Sequence, residues 1–368
     1  MLSSKDFLRK RFNNTDVFEC ADIHRAQKDS WWKDRSQSEV SSLKLPYYAP
    51  GHHDPPIPTA YDVVGPQATA LDANRGVYRV FGKYVVKRLG SLYLLLDAES
   101  HIFLERHSKA RIPKVYAVFS HLEKESSGTE KNFSSKEQAP VPTPSYYLVT
   151  EYIEGLQLFP ETFKALDISL QEKIGHAIGT QLKALTNVPG EGYYGRVNNQ
   201  AWLPTNYLLD NPNLGEPRQY GPYTSYEEFV NDWYDTALYR AAVNHFVPPD
   251  DYTKKQLAIL RNFKYIMHSV AESQRTPTLC HRDVAWGNII FKEIVGIDGK
   301  VCDYEATLID FESLCWLPKW MESGMLSEFS WPDYEHMYLE AVKCLEPLNL
   351  PMGRWFNREL LENVLGVW

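Results

Sequence analysis

The sequence predicts an α+β protein, a small β-rich amino-terminal unit followed by a larger, mostly helical one. Three observations carry that expectation. Runs rich in Val and Tyr cluster after Gly76, at GVYRVFGKYVVKRLG, KVYAVFS and SYYLVTEYI, and such residues suit a pleated, half-buried surface. Beyond Gly155 the apolar spacing changes to about 3.6 residues, as in ISLQEKIGHAIGTQLKALTNV. A chain of 368 residues, 43% hydrophobic and 23% charged, can bury a sizeable core, which excludes global disorder.

The elements follow in order. Residues 1–60 form an amino-terminal extension that mixes helix signals with loop and ends in PYYAPGHHDPPIP. There His52 and His53 lack a third ligand at a helpful spacing, so they read as an exposed turn and not as a metal site. The β-rich unit covers 61–154. Gly82-Lys83 is its expected hairpin turn, and SLYLLLDA reads as a further β-rich run. DAESHIFLERHSKA is helix-like and closes before Pro113. KVYAVFS and SYYLVTEYI then give two strands, separated over about residues 121–144 by a Ser-, Lys-, Glu- and Pro-rich stretch that reads as a mobile surface loop. Residues 151–155 connect to the helical unit, 155–368. Its first long helix stops at a Pro-Gly pair. The next, SYEEFVNDWYDTALYRAAVNHF, starts with Ser225 as N-cap and Glu228 three residues on.

Composition narrows the function classes. The net charge is −8, from 39 basic and 47 acidic side chains. Nucleic acid and an anionic membrane are therefore not expected as main partners, since both are gripped by excess Lys and Arg. The amino terminus, MLSSKDFLRKRF, carries no apolar stretch of a secretory signal, and the apolar runs fall far short of the ~20 residues that span a bilayer. Five cysteines with no CxxC pair make a disulfide framework or a cysteine zinc site a poor expectation. A cytoplasmic protein acting on a small molecule is the expected setting.

The chemistry sits in two strings, LCHRDVAWGNIIF and ATLIDFE. In the first, His281, Asp283 and Asn288 keep the spacing H-x-D-x4-N and run into the apolar Ile289-Ile290-Phe291. In the second, Asp310 closes the apolar Leu308-Ile309. GIDGK between them supplies a hairpin turn, so both motifs edge one small β unit. The residue types suit phosphoryl transfer. Asp283, on a loop, can orient an attacking hydroxyl and accept its proton. Asp310, at a strand end, can hold Mg2+, and Asn288 can complete the metal site with a neutral oxygen. His281 reads as ordering the loop by hydrogen bonding. Upstream, Lys87 ends the strand Tyr84-Val85-Val86-Lys87, and period-2 alternation puts Val85 and Lys87 on one face.

These strings, with YVVKRLG, RIPKVYAVF, YLVTEYIEG and GPYTSYEEF, resemble the aminoglycoside phosphotransferase and choline kinase superfamily, and more narrowly its fungal "phosphotransferase enzyme family" proteins. The resemblance runs from about residue 76 to 316. It implies a bilobal protein-kinase-like fold with ATP between the lobes and Mg2+ as cofactor. It further implies that Lys87 contacts the nucleotide phosphates, that Val85 and Ile290 border the adenine, and that Glu151 and Ile153 lie on the connector that pairs with it, Ile153 as the backbone donor. The lysine's helix partner is then expected to be Glu99, which shares a helical face with Leu95, Ile102 and Phe103. Three departures stand out: no G-x-G-x-x-G precedes Lys87, Arg282 makes the loop HRD, and DFE takes the place of DFG.

No activation segment of the protein-kinase kind follows Glu312, so a small hydroxylated acceptor is expected. Tyr193, Tyr223, Trp233, Trp316 and Trp320 are the aromatic candidates for its site. Three functions remain open: an ATP- and Mg2+-dependent phosphotransferase acting on an alcohol group, a nucleotide-binding pseudokinase, and the same fold reused for another reaction on a secondary metabolite.

Overall fold

The structure, a computed structural model, describes residues 3–122, 144–203, 219–243, 252–326 and 334–345, with Leu360 and Val364. Helices α1 (Ser4–Phe12), α2 (Val17–Lys33) and α3 (Gln37–Val40) precede strand β1 (Tyr47–Tyr48). Then come β2 (Ala68–Asp72), β3 (Val77–Val80), β4 (Tyr84–Leu89), α4 (Leu94–His107), β5 (Val115–Leu122) and β6 (Pro144–Glu151). The remainder holds α5 (Pro160–Lys164), α6 (Ile168–Thr186), β7 (Gly195–Arg196), α7 (Tyr226–Val243), α8 (Lys254–Ser269) and α9 (Glu272–Arg275). It ends with β8 (Pro277–Cys280), β9 (Ile289–Val295), β10 (Val301–Leu308), β11 (Cys315–Pro318), α10 (Trp320–Leu326) and α11 (Glu335–Lys343). The fold is α+β, a β-sheet region in the amino-terminal part followed by a mostly helical part. Most of the segment expected as a mobile loop lies outside the described residues.

The amino-terminal lobe is a six-stranded sheet in the order β1-β5-β6-β4-β3-β2. Alternation decides its two faces. Tyr147 and Val149 of β6 join Tyr84 and Val86 of β4 in one apolar cluster, while Leu148 points the other way, onto α4. The β3–β4 hairpin turns at Phe81 and Gly82, both at positive φ. The amino-terminal extension joins both lobes. Tyr47 and Tyr48 pair with Val118 and Ala117 as the sheet's edge strand, Trp31 and Val40 pack on α4, and Phe7, Leu8 and Cys20 enter the core around α7.

SLYLLLDA is not a strand. Its last five residues open α4, in which every residue from Leu94 to Leu104 is buried. A helix buried all round loses the one-sided apolar stripe, so its sequence shows no 3.6 period and the leucine run resembles a core strand. The leucines themselves are good helix formers.

In the carboxy-terminal lobe, α6 runs against α11 and the β9–β10 hairpin. There Ile174, Ile178, Phe291, Leu308 and Met337 share a core. Helix α7 packs on α8 and α10 through Phe229, Trp233, Phe263 and Trp320. Ser225 caps α7 as expected, its hydroxyl accepting from the Glu228 N–H at 3.3 Å. The β9–β10 pairing sets Ile289 opposite Leu308, so the chain segments entering and leaving this hairpin emerge side by side.

Candidate functional site

Lys87 stands between two carboxylates. Its Nζ lies 2.6 Å from Asp97 Oδ2 and 3.0 Å from Asp310 Oδ1. Burial alone would lower the lysine pKa, but the two carboxylates outweigh it and raise it well above the ordinary value. Asp97 is 2% exposed. Burial works to raise its pKa, yet Lys87 and His101 hold it below the usual carboxylate range. Its Oδ1 also accepts the backbone N–H of Phe311 at 2.8 Å and contacts His101 Nδ1 at 3.0 Å. One carboxylate thus fixes both the lysine and the backbone just after Asp310, which sits at φ +68°.

Glu99, expected to steady Lys87, does not reach it. Two residues along a helix turn through about 200°, so Asp97 and Glu99 leave α4 in opposite directions. Glu99 is buried, as its apolar neighbours implied, but on the far side. Its carboxylate accepts from the Ser41 hydroxyl at 2.8 Å, Arg196 Nη2 at 3.2 Å, Asn198 Nδ2 at 2.9 Å and Gln200 Nε2 at 2.6 Å, and from the Ser42 hydroxyl and backbone N–H. The legible signal for Asp97 was its i,i+4 spacing to His101 inside DAESHIFLERHSKA, passed over because a glutamate was the expected partner type.

The loop after β8 carries the second carboxylate group. Asn288 donates from Nδ2 to the Asp283 backbone oxygen and to its carboxylate, each at 2.9 Å. That leaves the Asn288 Oδ1 for another partner. His281 is fully buried; its Nδ1 accepts the Asp283 N–H at 3.3 Å, so its Nε2 donates to the Ile309 oxygen at 3.1 Å. Burial lowers its pKa, which keeps that neutral tautomer. The backbone N–H of Ile309 donates to the Asn288 backbone oxygen at 3.0 Å, stitching the Asp283 loop to the Asp310 segment. Beneath lies Glu322 of α10, 1% exposed and missed by sequence reasoning. Burial pushes its carboxyl up to about 7, against the lowering effect of the Cys280 thiol and the backbone N–H groups of Arg282 and His281. Glu312, between these groups, also rises to about 7, through burial and then the charges of Asp310 and Asp97.

The connector, residues 151–155, continues from the end of β6. Tyr152 donates its N–H to the Lys83 oxygen and Glu151 its N–H to the Lys114 oxygen, both at 2.8 Å. Ile153 makes no backbone hydrogen bond among the described residues. Gly155 then packs so tightly that a Cβ there would lie 2.6 Å from the Phe291 oxygen and 2.7 Å from Ile290 Cγ2. Val85 and Lys87 share a face of β4, opposite the buried Tyr84 and Val86. Ile290 is half-buried on β9, opposite in direction to the buried Ile289 and Phe291.

A cavity of ≈ 240 Å³ opens beside Asp283, lined among others by Tyr93, Leu96, Trp202, Leu203, Arg282 and Glu312. The expected aromatic candidates are elsewhere. Trp233, Trp316 and Trp320 are fully buried in the helical cores. Tyr193 is also core, its hydroxyl taking the Asn199 N–H at 2.7 Å. Tyr223 is half-buried and donates to Asp232 at 2.5 Å. Large aromatic rings go first to the core because each buries the most apolar area, and residue type alone does not separate core from pocket. Trp202 and Tyr93 are the rings that line this cavity.

The oxygens of Asp310 and Asn288 suit a hard divalent cation. No cluster of three or more His, Cys, Asp or Glu side chains among the described residues is arranged to hold a metal ion. Mg2+ is commonly held by one or two carboxylates with phosphate oxygens and water completing the sphere, which the Asp310 carboxylate and the Asn288 amide oxygen would satisfy. No helix among the described residues is long and apolar enough to cross a membrane.

No curated protein matches the chain. Among solved structures it is similar to the aminoglycoside phosphotransferase APH(2'')-Ib with ADP bound, at 14% identity, covering 83% of this chain and 78% of that one, TM-score 0.40. It is similar also to the GDP and kanamycin complex of APH(2'')-IIia, at 12% identity, 90% and 85% coverage, TM-score 0.43. A third is the amicoumacin kinase hAmiN in complex with AMP-PNP, Ca2+ and Ami, at 14% identity, 81% and 80% coverage, TM-score 0.42. The sequence model of the phosphotransferase enzyme family matches residues 73–343, a span that holds Lys87, Asp97, Asp283, Asn288 and Asp310 together. The chain belongs to the phosphotransferase enzyme family.

Proposed function

We propose that the chain transfers the γ-phosphoryl group of ATP, in the presence of Mg2+, to a hydroxyl of a small molecule. The single observation that carries this is the convergence on one cleft of Lys87, held between Asp97 and Asp310, and the Asp283–Asn288 pair. Bound Mg-ATP supplies the transferable group and spreads its negative charge over metal and phosphate oxygens. Lys87 faces those phosphates, and Asp97 keeps it charged and in place. Asp310 and the Asn288 Oδ1 hold the metal. Asp283 orients the acceptor hydroxyl and receives its proton as the acceptor oxygen bonds phosphorus and the bond to the ADP oxygen breaks. Ile153 would offer its backbone to the adenine edge, with Val85 and Ile290 bordering its pocket and Glu151 holding the connector against Lys114.

The acceptor site in this reading is the cavity at Asp283, with Trp202, Tyr93 and Leu96 as apolar walls. A cytosolic setting, where ATP is available, belongs to the same reading. The test is the thermal shift of the purified chain with ATP, with and without Mg2+, in wild type and Asp310→Asn. A nucleotide at 100 times its Kd stabilises by about 2.7 kcal/mol. A Mg2+-dependent rise lost in Asp310→Asn supports the reading; no response to nucleotide overturns it.

A further inference from the structure

A second cavity lies on the other side of α4 from Lys87. It measures ≈ 490 Å³ and is framed by the segment after α3, the outer face of α4 and the turn after β7. Leu43, Ile102 and Phe103 give it an apolar floor, and Lys44, Arg106 and His107 bring three basic side chains to it. Neither Lys44 nor Arg106 has an ion-pair partner among the described residues. The His107 ring is already stacked on Phe103, with centroids 4.4 Å apart and planes at 28°. The one carboxylate in the wall, Glu99, is committed to Arg196 and five further donors. What faces the cavity is therefore an apolar, ring-bearing floor beside two cations that no ion pair holds.

We propose that this cavity is a second ligand site, for a small organic anion with an apolar or aromatic body, and that its occupancy is transmitted to Lys87 through α4. Apolar floor and basic rim together select such a ligand: the body gains from leaving water, and the anion gains from two cations free to turn toward it. Transmission needs no long chain of contacts. Asp97 and the cavity-facing Ile102, Phe103 and Arg106 belong to one helix, buried from Leu94 to Leu104. A ligand that ties Lys44 to Arg106 pins α4 in the position where Asp97 meets Lys87 and the Phe311 N–H. It therefore favours the nucleotide-competent arrangement, and the nucleotide must favour the ligand by the same factor. This second half rests on the phosphotransferase reading; the site itself does not.

The test is calorimetric titration of the full chain with phenylphosphonate, with inorganic phosphate and benzyl alcohol as single-feature controls. Wild type is compared with Lys44→Ala/Arg106→Ala, two exposed positions whose loss leaves the core intact. The expected result is tighter binding of phenylphosphonate than of either control, weakened at least about tenfold in the double variant. Equal binding in the double variant, or displacement of phenylphosphonate by ADP, overturns the site. Saturating phenylphosphonate should raise ADP affinity in wild type by about fivefold or more; an unchanged ADP affinity overturns the transmission. If ADP does not bind at all, transmission falls together with the phosphotransferase reading, while the phosphonate arm still decides the site.

Discussion

Asp97 and Glu99 sit two residues apart on α4, and their carboxylates serve opposite sides of the molecule. Asp97 holds Lys87 in the cleft; Glu99 holds Arg196 and the amino-terminal segment behind it. The two are separable by mutation. Asp97→Asn should lower kcat/KM for ATP at least about tenfold, or ~1.4 kcal/mol, because the lysine loses the partner that positions it. Glu99→Gln strands the buried Arg196 and should cost about 3 kcal/mol of stability. Its effect on ATP affinity should be several-fold smaller. Urea unfolding and nucleotide titration read the two effects, and the reverse ranking would restore Glu99 as the lysine's partner.

Asp283→Asn keeps the shape of the loop and the hydrogen bond from Asn288 but removes the proton acceptor. Turnover, followed as ADP release, should fall by about 10²–10⁴-fold, with ATP affinity unchanged. Full activity in this variant would remove Asp283 from the role of base.

Glu322 gives the fold a pH signature. Its carboxyl rises from the ordinary 4.5 to about 7 on burial. Across that window the folded chain keeps a proton that the unfolded chain has lost, so this group's contribution to stability falls as pH rises from about 4.5 to about 7. Some 2–3 pH units correspond to roughly 3 kcal/mol. Glu322→Gln should flatten that part of the stability profile in urea melts, and a slope as steep as wild type would contradict the assignment.

Gly155 is fixed by contact and not by dihedral freedom. Gly155→Ala would press its methyl into the Phe291 backbone oxygen and Ile290. Backbone cannot step aside as a side-chain tip can, so about 1–3 kcal/mol of stability should be lost. Nucleotide affinity should weaken as well, because the connector and Ile290 are displaced together. A Tm and an ATP affinity equal to wild type would show that the connector is looser than this packing implies.

Much of this was legible in the chain itself. The H-x-D-x4-N spacing and the apolar run before Asp310 were read from residue type and alternation, and the structure brings these residues to one cleft. The β3–β4 hairpin and the capped α7 were equally open to local rules. What was not legible depends on burial. The leucines of α4 face protein all round, so their helical period vanished and the helix was started three residues late; Asp97 lay inside it and was missed because the expected partner type was glutamate. Trp233, Trp316 and Trp320 could not be told from pocket rings because core and cleft draw on the same aromatic types. Glu322 lies in a short helix and acquires its meaning only from the loop above it.

The two-residue strand Tyr47–Tyr48 has a consequence for solubility. Without it, β5 would end the sheet, and its Val115-Tyr116-Ala117-Val118-Phe119 run would offer unpaired backbone groups along an apolar ribbon. Such an edge recruits strands from other molecules. By occupying it with a strand too short to template another, the amino-terminal extension acts as an intramolecular guard against edge-to-edge association. A chain shortened past Tyr48 should therefore self-associate even where its catalytic cleft is intact.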